Sequence, residues 1–397
     1  MRKCVFLTAL TVGVFATIAA HGLDARMINV SFPEGFTGYT PVCLPYDGHA
    51  PGGRVEVIDR RTGEGYPATI HGGRLTFLLP DALAGGEHQF QVRVHPANNP
   101  PRVRVNLDQA EQQAEVHVRD EHFTTYQFAD DSRIPHLWPM YAEGGVTITR
   151  NFPMGKDEPV ESTDHRHHKS FWIAFGDVNG YDNWHRVPIL TQKVEAGSGD
   201  AYGWIRAENV WPDADGEPIV DESREYRFYD TPASARIFDQ KITFTASYGD
   251  VTFGDDKEGL VAFRIRPEIQ GRNAGLLTNF EGNQGERAVY GTPGPWMDYS
   301  GPIEGVGYRG IALFSHPSNL REPAWHVRDY GLAASNPFAM SDVARLGEDG
   351  SYVLEEGETL TFLFRAYIHT GDVEQADVAG QYKAFAEGAT AEWAEQG

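Results

Sequence analysis

Cysteine is nearly absent from this chain of 397 residues. There are two, and Cys4 lies in the apolar leader, which leaves Cys43 alone. No disulfide framework is available, so a fold of this length must rely on its own core. Positive charge is also scarce: 34 Lys and Arg stand against 56 Asp and Glu, for a formal charge of −22. That balance argues against nucleic acid and against anionic membranes as partners. Long apolar runs are missing beyond the first twenty residues. The longest later ones, near Leu75–Leu79 and Thr361–Ile368, are strand-sized, whereas a membrane span needs about 18 residues. Helical periodicity is absent before residue 372.

What is present begins with an export leader, read over residues 1–22. Arg2 and Lys3 form a basic start, Cys4–Ala20 an apolar stretch, and Ala20-His21-Gly22 resembles a cleavage site. The expected location is periplasmic or extracellular. Residues 23–118 carry short β-forming runs, Val55–Asp59, Leu75–Leu79 and Gln89–Val94, parted by Pro, Gly and Asn turns. They predict a small N-terminal β-sandwich, with 102–118 as its last strand or a linker. From Arg119 onward aromatic residues and His become frequent and strand signals repeat. Near the end Val373, Ala376, Ala379, Tyr382 and Ala386 recur at helical spacing, interrupted by Gly380. The expected fold is all-β: the small sandwich, then a large antiparallel β-sandwich of jelly-roll or supersandwich type over 119–397, closed by a C-terminal helix.

Four constellations carry possible chemistry. The densest is Asp164-His165-Arg166-His167-His168-Lys169, followed by an apolar strand, Phe171–Phe175, and by a loop with Asp177, Asp182, Trp184 and His185. His165 and His167 would share one side of an extended segment, as ligands of a divalent metal completed by Asp or His. Alternatively one imidazole moves a proton while Arg166 or Lys169 neutralises an oxyanion or a carboxylate. In a third reading they cap a strand end. No cofactor motif accompanies them. The second constellation is Gly254-Asp-Asp-Lys257-Glu258-Gly259, a solvated turn unless a strand holds it at the site. The third, Trp296-Met-Asp298-Tyr299, places rings beside a carboxylate, as a sugar platform does, and equally suits a core strand. The fourth joins His316 and Asn319 to His326, Arg328 and Tyr330, which alternate. A Tyr beside an Arg can have a lowered pKa and act as a base. Arg150, further upstream, reads as structural or as a carboxylate clamp.

In this order the motifs resemble those of the PmoA-like family of exported bacterial proteins, over about residues 120–385. Arg166 stands where that family often has Pro, Lys169 where it often has Arg, and Ser315 where an acidic residue is common. The family name implies methane oxygenation, which a chain with no later membrane-length run contradicts. The usual company of such proteins implies carbohydrate catabolism. The expectation is an exported carbohydrate-active enzyme, a lyase or a glycoside hydrolase, that cleaves a C–O bond in a sugar or uronate. His165, His167, His168, His326 and Tyr330 would be catalytic. Arg166, Lys169, Asp182, Trp184, Lys257, Glu258, Trp296, Asp298, Tyr299, His316, Asn319 and Arg328 would bind a carbohydrate. A hydrolase would need two facing carboxyl groups about 5–10 Å apart. A non-catalytic glycan-binding protein and a His-ligated metalloenzyme are the competing classes.

Overall fold

The computed structural model describes residues 26–395, apart from 34, 36, 49–52, 81–85, 98 and 156–160. The leader over 1–22 lies outside the described residues. Half of the chain is strand and one-twentieth helix, so the all-β expectation holds. One seven-stranded antiparallel sheet is built from the first strands, Met27–Phe32 to Gly86–Pro96. Its edge is completed by the C-terminal strand Thr390–Trp393, paired to Met27–Phe32. Two eight-stranded sheets form the rest of the large fold. The first runs Ala324–Val327, Leu332–Asn336, Val261–Arg264, Phe171–Ile173, His136–Met140, Glu121–Gln127, Gln113–Val118, Val103–Asp108. The second runs Leu190–Gly197, Tyr202–Pro212, Pro218–Tyr229, Ala235–Thr245, Thr359–Thr370, Gly307–Ser315, Trp296–Ile303, Leu276–Asn279. The stretch 102–118 thus contributes two strands to the first eight-stranded sheet, and is neither the last strand of the small sandwich nor a linker.

The core follows from period-two patterning. In Pro218–Tyr229, Glu222, Arg224, Tyr226 and Phe228 are fully buried, while Glu225 and Arg227 point the other way and are more exposed. Rings meet between the two sheets: Phe171 and Phe238 lie 5.2 Å apart, and Tyr126 and Tyr226 5.6 Å apart. Two of the inward positions are charged. Arg224 grips both oxygens of Glu222, Trp211 Nε1 donates to the same carboxylate at 2.7 Å, and Arg224 reaches the Pro135 carbonyl of the opposite sheet at 3.3 Å. This pair survives burial because nearly every lone pair and N–H in it is met.

The outer face of the second sheet carries the C-terminal helix, which spans Val378–Glu387. It starts five residues later than the apolar spacing from Val373 suggests, because Asp377 adopts a left-handed conformation and caps Gly380 N. Arg365, clasped by Asp239, donates to the Tyr39 carbonyl and ties the N-terminal sheet to this face.

Replacing Arg224 by Met should strand a buried carboxylate and destabilise the fold by about 3–5 kcal/mol. Removing Glu222 as well, as Glu222→Leu/Arg224→Met, should recover most of that loss in urea unfolding. Additive losses would show that the pair is not coupled.

Candidate functional site

One rung of the first large sheet organises the site. Gln127, His136, Trp172, Ala262, Ala334 and His326 are register partners across six strands. Phe171 and Phe263 turn inward to the core, so this rung faces outward, away from the second sheet. Residues more than 150 positions apart thus share one face. Loops close over it: His168 stacks on Trp172 with ring centres 5.3 Å apart, Trp184 packs against Trp172 at 5.2 Å, and Glu258 comes within 3.7 Å of His326.

Two buried guanidiniums shape the histidine loop. Arg150 donates to the carbonyls of Asp164, His165 and His168. Arg264 donates to His168 Nδ1 at 3.0 Å and to Asp164 Oδ1 at 3.1 Å. An arginine offers no acceptor, so His168 Nδ1 is the accepting nitrogen and its Nε2 carries the proton. The backbone does not run extended here. His165 is left-handed (φ 47°), and its ring stacks on His168 at 4.8 Å and on Tyr330 at 5.1 Å. His167 meets His168 and His185 edge-on, at 4.4 and 4.2 Å. Burial, reinforced by His185, pushes His167 down to about 3, and burial lowers His168 well below its usual value. Among the described residues no group of three or more His, Cys, Asp or Glu is placed to hold a metal ion.

Tyr330 has the Arg264 guanidinium over its ring at 4.2 Å and that of Arg272 at 5.1 Å. Its pKa is nevertheless raised, because burial outweighs both Arg264 and Arg328. The lowered phenol expected beside an Arg is therefore corrected: Tyr330 holds its proton at neutral pH. His168 is corrected likewise as a base, since it is buried and its accepting nitrogen is occupied. His326 donates Nδ1–H to the Lys257 carbonyl at 2.9 Å, and burial lowers it to about 3.

The carboxyl of this rung is Glu258. Its side chain is 13% exposed, and Oε2 is buried without a partner among the described residues. Burial, helped by Asp256 and Asp182 and opposed by Lys257 and Arg328, pushes it up to about 7. The neighbouring carboxylates are committed. Asp177 accepts from Gly180 N, Asp256 from Glu258 N, and Asp182 from Trp184 N, His185 N and His185 Nδ1.

The structure brings together His165, His167, His168, Lys169, Asp182, Trp184, Lys257, Glu258, His326, Arg328 and Tyr330. Arg166 sits at the margin, exposed, over the Phe152 ring. Four expected residues are elsewhere. Trp296 and Asp298 lie on a buried strand of the other sheet, not a platform loop. Trp296 packs with Phe314 and Tyr367, while Asp298 is enclosed by His369 and Ser300. His316 lies beside Phe385 of the C-terminal helix, and Asn319 ties down the backbone of Leu363. Tyr299 supports from the core side: its hydroxyl accepts from Gly271 N and reaches the carbonyls of Arg328 and Asp329. Arg264 was missed by sequence reasoning, and its signal was a lone charge inside the apolar run Leu260–Ile265.

A family model of unknown function, DUF6807, matches residues 113–383. The chain belongs to that DUF6807 family. The resemblance to a PmoA-like family is thereby overturned, since nothing indicates one. No curated protein matched the DUF6807 chain. Among solved structures it is similar to an alpha-mannosidase from Enterococcus faecalis V583, at 10% identity and a TM-score of 0.47, over 94% of this chain and 46% of that one. It is also similar to a protein in the glycosyl hydrolase family 38 from Enterococcus faecalis, at 9% identity and a TM-score of 0.45, over 94% and 48%. The chain spans about half the length of these two proteins. Likeness at this level carries no argument about activity.

The Glu258 shift makes a stability claim. A carboxyl near 4.5 when unfolded and about 7 when folded favours the folded state at low pH, and that contribution fades as pH climbs from 4.5 through 7. Wild-type DUF6807 protein should therefore lose about 2 kcal/mol relative to Glu258→Gln between about pH 5 and about pH 8. Parallel urea midpoints for the two proteins across that range would contradict the shift.

Proposed function

We propose that this protein is a carbohydrate-active enzyme that cleaves a C–O bond in a sugar acid by elimination. The observation that carries the reading is Glu258, a carboxyl raised to about 7, with a buried oxygen that has no partner among the described residues. A base whose pKa matches ambient pH is effective in both directions of proton transfer. Its ionised form removes the proton α to the substrate carboxylate. The electron pair becomes the new C=C bond as the β C–O bond breaks, and Tyr330, still protonated, gives its proton to the departing oxygen. Arg328, 25% exposed and 3.8 Å from the Glu286 carboxylate, also acts on Glu258 and Tyr330 and suits the charge that develops on the substrate carboxylate. Hydrolysis is less well supported, because a second uncommitted carboxyl does not face Glu258 among the described residues.

Uronate oligosaccharides incubated with the protein should yield unsaturated products, detected by ultraviolet absorbance. Turnover should rise with pH through about 7, and Glu258→Gln should lower it about 100-fold or more. Reducing ends without unsaturation would replace elimination by hydrolysis. Binding without turnover, equal in wild type and variant, would favour a glycan-binding protein; His165 and Tyr330, stacked at 5.1 Å, offer such a protein a ring platform.

A further inference from the structure

Beside the Glu258 side of the site lies a second group of polar atoms, and nearly all of them are donors. Lys169 is half-buried, and its ammonium has neither a hydrogen bond nor an ion pair among the described residues. Arg133 spends one nitrogen on the Trp184 carbonyl at 2.7 Å, while its Nη1 is buried with no partner. The indole N–H groups of Trp172 and Trp184, both fully buried, are equally unmet. A buried donor left without an acceptor costs about 1–3 kcal/mol, so three in one region, beside the half-buried Lys169 ammonium, call for an explanation. The carboxylates around them do not supply it. Glu161 caps Asn151 N and Phe152 N, Asp164 is held by Arg150 and Arg264, and Asp182 is filled by its own loop. Only Asp131, exposed, acts on Lys169 as an opposite charge.

A further observation agrees. Lys169 is lowered by burial and then by Arg133, Arg166 and Arg150, so cations are crowded together in a protein of net charge −22. Asp131 offsets Lys169 and Asp182 offsets Arg133 only in part, and the remaining excess of positive charge fits an anionic ligand.

We propose that Lys169, Arg133 and the indole N–H groups of Trp172 and Trp184 form a carboxylate subsite, which receives the acidic group of a sugar unit flanking the one that reacts. The inference rests on the sugar-acid reading above and deepens it: the substrate is an oligomer of sugar acids, not a single acidic sugar. His167 and His185 meet at 4.2 Å, His185 bonds Asp182, and Asp182 acts on both Arg133 and Glu258, which links this subsite to the reacting one. A planar carboxylate offers about four lone-pair positions to the donors.

The test is calorimetric titration of the full chain with digalacturonate, its methyl ester, and inorganic sulfate. Digalacturonate should bind at least about tenfold more tightly than the ester. Lys169→Gln and Arg133→Met should each remove most of that preference while leaving ester binding unchanged, and Lys169→Arg should restore part of it. Lys169 is partly exposed, so its variants keep the fold even if Arg133→Met does not. Equal affinity for acid and ester, or an unchanged preference in Lys169→Gln, would overturn the subsite. Sulfate displacing digalacturonate at equal or lower concentration would overturn its assignment to a carboxylate. Glu258→Gln separates the two claims: if elimination fails but the subsite holds, that variant and the wild type both bind digalacturonate without converting it.

Discussion

The site depends on two guanidiniums that never reach solvent. Arg150 and Arg264, each about 1% exposed, hold the segment Asp164–His168 by its carbonyls, by the Asp164 carboxylate and by His168 Nδ1. A loop rich in His and Arg would otherwise repel itself and sample many conformations. Here its backbone acceptors neutralise buried cations, and those cations choose the tautomer of His168 and, through the ring of Tyr330, the position of the next loop. Burial lowers Arg150 to about 10 and lowers Arg264 too, because enclosure disfavours the charged form. Asp164 answers it: although burial opposes its ionisation, Arg264 and His165 hold its carboxyl below the usual range.

That arrangement also explains which half of the sequence pattern converges. The all-β architecture was legible because strand signals recur with turn residues between them, and buried positions alternate over 220–228 and 238–245. The convergence of His165–His168 with His326–Tyr330 was foreseeable only as a hope. It arises from register, Trp172 opposite Ala262, Ala262 opposite Ala334 and Ala334 opposite His326, and register is set by long-range pairing that local composition does not encode. Trp296 and His316 show the converse. Their local texture matches a sugar platform, yet they lie on the other sheet, where apolar area against the C-terminal helix decides their place. A Trp in a strand whose alternate residues are also buried looks the same in sequence whether it faces a ligand or a helix.

Arg264, Trp172 and Arg133 were illegible for a different reason. Each is unremarkable alone: one charge in an apolar run, one Trp in a core strand, one Arg after a turn. The significance of Arg264 lies in its bonds to His168 and Asp164, and that of Trp172 and Arg133 in the donors they leave unmet. Unmet donors appear only when every neighbour's hydrogen-bonding capacity has been counted in three dimensions. Arg150 was the reverse case, a residue read as structural or as a carboxylate clamp, whose two Nη groups prove to be spent on backbone carbonyls and on Asp164.

Glu258 and the histidines around it share one physical cause. Removal from water disfavours whichever form is charged, so the carboxyl rises to about 7 while His167 and His326 fall to about 3. Near neutral pH His167, His168 and His326 are therefore neutral imidazoles, held so by the same enclosure that raises the Glu258 carboxyl into that range.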